Sequence, residues 1–289
     1  MYNPAAGKIR RNPEGILQRT KAALGRVGIT PELRPTSGPG QAGELARAAI
    51  AEGADAVLVL GGDGTINETA QGMAHSGVPL GVLPGGTANC LAMELGFGSR
   101  IERAAERLAK SEPVSIALGK ITGKPSRYFL LMCGAGLDAA IVDEVSSSLK
   151  ASTGKFAYWV AGLSQFRRYV AGMKIRVAGQ EYECGFVLIS RIRNYGGDME
   201  IASRASLRRN DFEIVFFEGE NPLRYGAYML AVAAKQVKRL PGVHSMHAPC
   251  VEILTSAPSQ VDGEFYGREA VKIEAVPDAL TLLMPPTYG

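Results

Sequence analysis

The sequence predicts an α/β domain with a doubly wound parallel sheet, followed by an antiparallel β-sandwich domain. Three observations carry this. Apolar runs alternate with helical periodicities in the first part of the chain. Two of those runs end in glycine-rich turns. After about Pro113 the pattern changes to short β-rich runs at even spacing. The expected domains are 1–113, rejoined by 277–289, and 114–276.

The first part is justified element by element. Asn12-Pro13 is an N-cap and first-turn pair. Ile16, Leu17, Thr20, Leu24 and Val27 then recur at helical spacing. Leu45, Ala49 and Ile50 mark a second helix, and Ala56 to Leu60 a strand. Thr65 and Glu68 have capping-box spacing at the start of the next helix. Leu80 to Leu83 is a second strand, and Ala88 to Leu95 reads as helix. Ser99 and Glu102 repeat the capping spacing before a helix ending near Leu108. In the second part, strands are expected over Tyr128 to Met132, Met173 to Val177, Cys184 to Ser190 and Phe212 to Phe217. Further strands are expected over Val251 to Thr255, Val271 to Ala275 and Leu280 to Met284. Helical inserts are expected near Lys155 to Val170 and Leu223 to Leu240.

Composition excludes several classes. At 289 residues the chain has room for one large domain or two modest ones. No apolar run approaches the roughly eighteen residues of a membrane span, and no signal-peptide pattern is visible. Cys90, Cys133, Cys184 and Cys250 are scattered without CxxC spacing, which fits a reducing cytoplasm. A net charge of +4 decides little and gives no reason to expect nucleic acid as a partner.

The chemistry concentrates in two turns. Gly61-Gly62-Asp63-Gly64-Thr65-Ile66-Asn67-Glu68 follows a strand and opens a helix. Its glycines admit positive φ and close backbone approach, and its amides suit phosphate. Asp63 repels phosphate unless a cation lies between, which points to a nucleoside triphosphate with a divalent metal. Pro84-Gly85-Gly86-Thr87-Ala88-Asn89 is a second turn of the same kind. Two such turns would lie side by side at the carboxyl edge of a parallel sheet, where open α/β sheets bind ligands. Neither the GxxxxGK[ST] nor the GxGxxG pattern is present.

Gly61 to Thr65 together with Gly86-Thr87-Ala88-Asn89 resembles the diacylglycerol kinase/sphingosine kinase catalytic family, in its bacterial YegS-like branch. Asn3-Pro4-Ala5-Ala6-Gly7-Lys8 is similar to the family's first loop. Thr36 to Ala42, Gly134 to Ala139, Tyr195-Gly196-Gly197 and Val261-Asp262-Gly263-Glu264 match further motifs in family order. The resemblance implies an NAD kinase/diacylglycerol kinase-like nucleotide domain followed by a lipid-substrate β-sandwich. It implies ATP and Mg²⁺, with Asn3, Thr36, Gly61, Gly62, Asp63, Gly64, Thr65, Asn67, Glu68, Gly86, Thr87 and Asn89 around the nucleotide. Asp63 is the residue expected at the metal. The expected reaction moves the γ-phosphoryl group of ATP to a lipid hydroxyl such as that of diacylglycerol. Glu264 is favoured as proton acceptor, with Asp262 and Asp63 as the other candidates. Asp262-Gly263 also reads as a plain hairpin turn, and Asp138 as either a head-group contact or a helix cap.

Two departures from the family pattern stand out. Cys90-Leu91 replaces Asp-Phe after the second glycine turn, and Arg208-Arg209 stands where relatives place acids that bind a structural magnesium. Arginine donates and cannot supply oxygen ligands, so that metal site is expected to be lost. Only Met1-Tyr2 precede the first loop, which implies a shortened or truncated first strand. His244, His247 and Cys250 match no standard zinc spacing. Lys155, Phe156, Tyr158, Trp159, Phe166, Arg167, Arg168 and Tyr169 combine rings and cations, suiting either core packing or peripheral contact with the inner membrane face. The alternative functions are an NAD kinase-like small-molecule kinase, or a catalytically weak lipid- or nucleotide-binding regulator. A homodimer stays open.

Overall fold

The computed structural model describes residues 1–123, 125–137, 139, 172–196, 199–219, 227, 228, 231, 232, 236 and 240–289. The insert expected at 155–170 lies outside the described residues, as does most of the one at 223–240. The chain forms two compact units, Met1–Leu118 with Val276–Gly289, and Gly119–Ala275. The composition change at Pro113 is not a break, because Pro113 lies inside the strand Glu112–Thr122.

The first unit carries α1 (Gly7–Arg11), α2 (Pro13–Arg26), α3 (Gln41–Ala51), β1 (Val57–Gly61), α4 (Asp63–Met73), β2 (Leu80–Pro84), α5 (Cys90–Glu94) and α6 (Ile101–Leu108). Strands β1 and β2 are parallel, in register from Val57 opposite Leu80 to Gly61 opposite Pro84. All five residues of β2 and four of β1 are buried, as expected of parallel strands covered on both faces. Asn12 caps α2 as its sequence predicts, accepting from the Gly15 N–H at 3.0 Å, with Pro13 in the first turn. Tyr2 forms parallel bridges to both Leu60 and Pro35. The stub before the first loop is therefore an inserted strand position with the segment around Pro35 outside it.

Helices α3 and α4 meet backbone to backbone. A Cβ on Gly72 would lie 2.3 Å from the Gly43 carbonyl oxygen, so no side chain fits there. Two capping expectations fail. Helix α4 begins at Asp63 with Gly62 as N-cap and no side-chain cap, and α6 is preceded by Arg100, also without one. Glu102 instead pairs with Arg19. Helix α5 is shorter than expected because Asn89, at φ 51°, interrupts the turn before Cys90.

The second unit is a sandwich. After β3 (Glu112–Thr122), its strands are β4 (Arg127–Phe129), β5 (Met132–Gly136), β6 (Met173–Val177), β7 (Gln180–Cys184), β8 (Phe186–Ser190), β9 (Asn194–Gly196), β10 (Met199–Glu200) and β11 (Phe212–Phe217). They continue with β12 (Val243–Ala248), β13 (Cys250–Ile253), β14 (Ser259–Val261), β15 (Glu264–Gly267) and the start of the long β16 (Val271–Met284), whose residues from Val276 belong to the first unit. One sheet has the order β12-β11-β8-β5-β14-β15. Facing it, β7, β6 and β13 pair antiparallel in turn, and β13 pairs with Val271–Glu274 of β16. Phe129, Ile175, Ile189, Phe212, Phe216, Val251 and Ile273 lie in the shared apolar core. The expected strand at Tyr128 to Met132 is two strands, because Leu130 and Leu131 turn the chain between β4 and β5.

The α3–α4 contact gives a direct test. Gly72→Ala is expected to destabilise the first unit by about 2 kcal/mol, since helix backbones cannot separate without disturbing their packing. Denaturant midpoints of variant and wild type measure this.

Candidate functional site

In the first unit, β1 and β2 end at the same level, so both glycine turns leave the sheet together at its carboxyl edge. The Gly85 N–H donates to the Gly61 carbonyl at 3.0 Å. A Cβ on Gly86 would sit 2.5 Å from the Gly62 Cα, and one on Gly85 would sit 2.8 Å from the Gly61 nitrogen. The expectation of positive φ is corrected here. None of Gly61, Gly62, Gly64, Gly85 and Gly86 has positive φ, and Gly62 is extended at φ −92°, ψ 175°. Glycine is required because the two turns touch through their backbones.

Other predicted residues lock onto this pair. The Asn89 side chain accepts from the Gly86 N–H at 2.8 Å and donates to the Gly86 carbonyl at 2.9 Å. It is buried and fully engaged in shaping its turn, whereas Thr87 is exposed. Asn3 donates to the Thr65 hydroxyl at 2.9 Å, and the Lys8 N–H donates to the Gly85 carbonyl at 3.2 Å. A Cβ on Gly7 would lie 3.0 Å from Thr87 Oγ1. The first loop thus rests on both glycine turns. Thr36 donates its N–H to the Tyr2 carbonyl at 2.9 Å. Glu68 accepts from the Ala42 N–H at 3.3 Å, so it serves the first turn of α3 and not a capping box.

Asp63 stands in the first turn of α4, where the helix dipole favours negative charge. Its Oδ1 accepts from the Leu91 N–H at 3.2 Å, tying α4 to α5 next to Cys90. Among the described residues its other oxygen has no hydrogen-bond partner. Asn67 is 1 % exposed, and neither atom of its side-chain amide has a partner. An orphaned buried amide costs about 1–3 kcal/mol, which a bound group can repay. Lys8, absent from the sequence-based site residues, donates Nζ to the Ser99 carbonyl at 2.7 Å. Burial and the neighbouring Arg19 lower its pKa. Its place directly after the glycine of the first loop was the available signal.

Among the described residues no group of three His, Cys, Asp or Glu could hold a metal ion. A single half-engaged carboxylate suits Mg²⁺ that arrives with a polyphosphate, since that ion keeps waters and binds through one or two carboxylates plus phosphate oxygens.

In the second unit, Asp262-Gly263 is the two-residue hairpin turn joining β14 to β15, with φ of 48° and 82°. The Asp262 carboxylate accepts three backbone N–H groups, from Leu130 at 3.0 Å, Leu131 at 3.0 Å and Met132 at 2.8 Å. The residue is half-exposed overall, but the carboxylate itself is enclosed. Burial pushes its pKa up to about 6, against the opposing pull of the three amides and Arg127. Glu264 follows on β15, exposed, and accepts from Arg127 at 2.7 Å. Asp138 and Gly197 lie outside the described residues.

The loop holding Arg208 and Arg209 is organised by a residue that sequence reasoning missed. Arg191 is completely buried, and its guanidinium donates to the carbonyls of Leu207 at 3.0 Å, Arg209 at 2.7 Å and Asp211 at 3.0 Å. A delocalised cation thus gathers backbone oxygens as a metal ion would. Arg209 turns outward and pairs with Asp211. No local motif marks Arg191, which stands alone after the apolar strand β8. His244 pairs with Glu218 at 2.7 Å and His247 with Asp211 at 3.4 Å, so these histidines meet carboxylates.

Residues 1–121 match the diacylglycerol kinase catalytic domain, and residues 132–284 match the YegS C-terminal NAD kinase beta sandwich-like domain. A diacylglycerol kinase of Staphylococcus carnosus is 28% identical over 278 residues, covering 93% of this chain and 88% of the relative. One of Staphylococcus saprophyticus is 26% identical over 279 residues, with coverage of 93% and 88%. The solved structure of a diacylglycerol kinase from Bacillus anthracis superposes with a TM-score of 0.73 at 22% identity. That match covers 100% of this chain and 96% of the other, a likeness of fold.

Two predictions follow from these contacts. Arg191→Met leaves three carbonyls without their donor and is expected to cost about 3 kcal/mol in chemical denaturation, while EDTA leaves the wild-type midpoint unchanged. Asp262 is expected to titrate near pH 6 by carboxyl-carbon NMR. Its folded pKa lies above the unfolded value of 3.8. Its contribution to stability is therefore fully present below about pH 4 and is lost as pH rises through about 6. Comparing wild type with Asp262→Asn across that window isolates it.

Proposed function

The chain belongs to the diacylglycerol kinase catalytic family, and we propose that it is an ATP- and Mg²⁺-dependent lipid kinase acting on a hydroxyl of a diacylglycerol-like lipid at a membrane surface. The observation that carries this reading is the backbone contact between the two glycine turns, with Asp63 at the start of α4. Phosphoryl transfer needs a cradle for the polyphosphate, a cation and an acceptor for the hydroxyl proton. The first-turn amides of α4 would supply the cradle, since the Gly85 and Gly86 N–H groups are engaged within the turns themselves. The free oxygen of Asp63 would hold Mg²⁺, whose charge offsets that of the phosphates. Asn67 and Lys8 add a buried amide and a partly desolvated amine in the same unit.

For the proton, the hydrogen bonding favours Glu264. Both oxygens of Asp262 are committed to three N–H donors, which suits a positioning role for the Leu130–Met132 turn. Glu264 is exposed, with one oxygen on Arg127. The acceptor oxygen would bond to the γ-phosphorus as the bond to ADP breaks, and its proton would pass to Glu264. Orientation and electrostatics would supply most of the acceleration. Lipid would be reached by peripheral contact; among the described residues no helix is long and apolar enough to cross a membrane.

Transfer of radiolabelled phosphate from ATP to a mixed lipid extract with Mg²⁺ tests the reading. Wild type is expected to label lipid, and Asp63→Asn and Glu264→Gln to lose roughly 10²-fold or more. Label in NAD and not in lipid, or ATP binding without transfer, would contradict it.

A further inference from the structure

Asp63 belongs to α4 but also caps α5. Leu91 is the second residue of α5, so its N–H has no carbonyl within that helix to bond. Asp63 Oδ1 accepts this N–H at 3.2 Å, which makes a side chain of one helix the cap of the next. The direction of the carboxylate therefore depends on where α5 sits.

A second contact holds the other end of α5. Glu94, in its last turn, is 5 % exposed, and Tyr288, 7 % exposed, donates Oη to Glu94 Oε1 at 3.0 Å, so the bond is closed off from water. Tyr288 comes from the segment that follows β16. Strand β16 pairs parallel with β2, Leu282 opposite Leu80, so both strands point to the same edge of the sheet. That is the edge at which the glycine turns lie. The segment turns back there, with the Tyr288 N–H donating to the Pro285 carbonyl at 3.0 Å.

Stability alone does not account for a glutamate in this place. A carboxylate in the last turn of a helix opposes the helix dipole, and enclosing it carries a desolvation cost. An apolar side chain of similar size would hold α5 without that cost. The carboxylate adds direction instead, because a hydrogen bond from one phenol to one charged oxygen fixes the height and rotation of the short helix.

We propose that Tyr288 and Glu94 are positioning residues for Asp63: their hydrogen bond seats α5, and the Leu91 N–H then holds one oxygen of Asp63 and leaves the other for a cation. The catalytic part of this role rests on the proposed kinase activity. The linkage from Tyr288 to Asp63 does not.

Tyr288→Phe removes one oxygen and keeps the ring. Hydrogen exchange at the Leu91 amide and the carboxyl-carbon resonance of Asp63 read the linkage in the full chain. The kcat and KM for transfer from ATP to diacylglycerol in mixed micelles with Mg²⁺ read the catalytic part. Leu91 exchange is expected to quicken roughly tenfold and the Asp63 resonance to move, while the amides of α2 stay as they are. The kcat is expected to fall roughly 10–100-fold with KM for diacylglycerol unchanged. Glu94→Gln keeps an acceptor for Tyr288 and is expected to lose less on every readout. Leu91 and Asp63 signals that match wild type would overturn the proposal, whatever the rate does. A change that spreads equally to α2, or that Glu94→Gln reproduces in full, would also overturn it, because the pair would then be a general stabiliser. If wild type transfers no phosphate to diacylglycerol, the kinase reading is what fails, and the two NMR signals alone decide whether the pair positions Asp63.

Discussion

The contact between Gly62 and Gly86 is the constraint on which the first unit's arrangement depends. Two strands in parallel register deliver two turns to the same level, and removal of every side chain lets the turns touch. Everything near them is fitted to that contact. Asn89 shapes one turn from within, Asp63 ties the start of α4 to α5, and the first loop lies across both through Asn3 and Lys8. The outcome is a concentration of backbone donors around one half-engaged carboxylate. The proposed site for a polyphosphate with its cation rests on that carboxylate and the first-turn amides of α4.

The second unit uses buried charge for geometry. Asp262 gathers three consecutive amides, and Arg191 gathers three carbonyls of a loop. Each replaces a run of regular secondary structure where the chain must turn sharply, satisfying groups that would otherwise be buried without partners. Both are charges whose removal costs more than their presence contributes, because the partners are left behind. A motif residue can therefore matter to activity without touching a substrate. Asp262 and Glu264, two positions apart, differ in this way: one carboxylate is enclosed by amides, while the other is exposed beside Arg127.

The sequence was most legible where the physics is local. Met173–Val177 and Phe212–Phe217 have the expected limits because apolar runs bounded by turns define strands. The cap at Asn12 and the Asp262-Gly263 hairpin were equally readable, since each depends on adjacent residues. Misreadings arose where a side chain had a distant partner. Thr65 looked like half of a capping box, but its hydroxyl accepts from Asn3, 62 positions away. The amides that engage Asp262 lie more than a hundred residues earlier, and Arg191 carried no local signal at all. Glycine permits both close approach and positive φ, and only the structure shows that these turns use the first.

The proposed nucleotide cradle is the pair of touching turns with the start of α4. Amide NMR spectra recorded during titration with Mg²⁺ and a non-hydrolysable ATP analogue test it most directly. The predicted result is saturable shifts concentrated at Gly62 to Thr65, at Gly86 and Thr87 and at the Asn67 side-chain amide, with little change across the sandwich. Saturable binding with these signals unmoved, or shifts centred elsewhere, would contradict it.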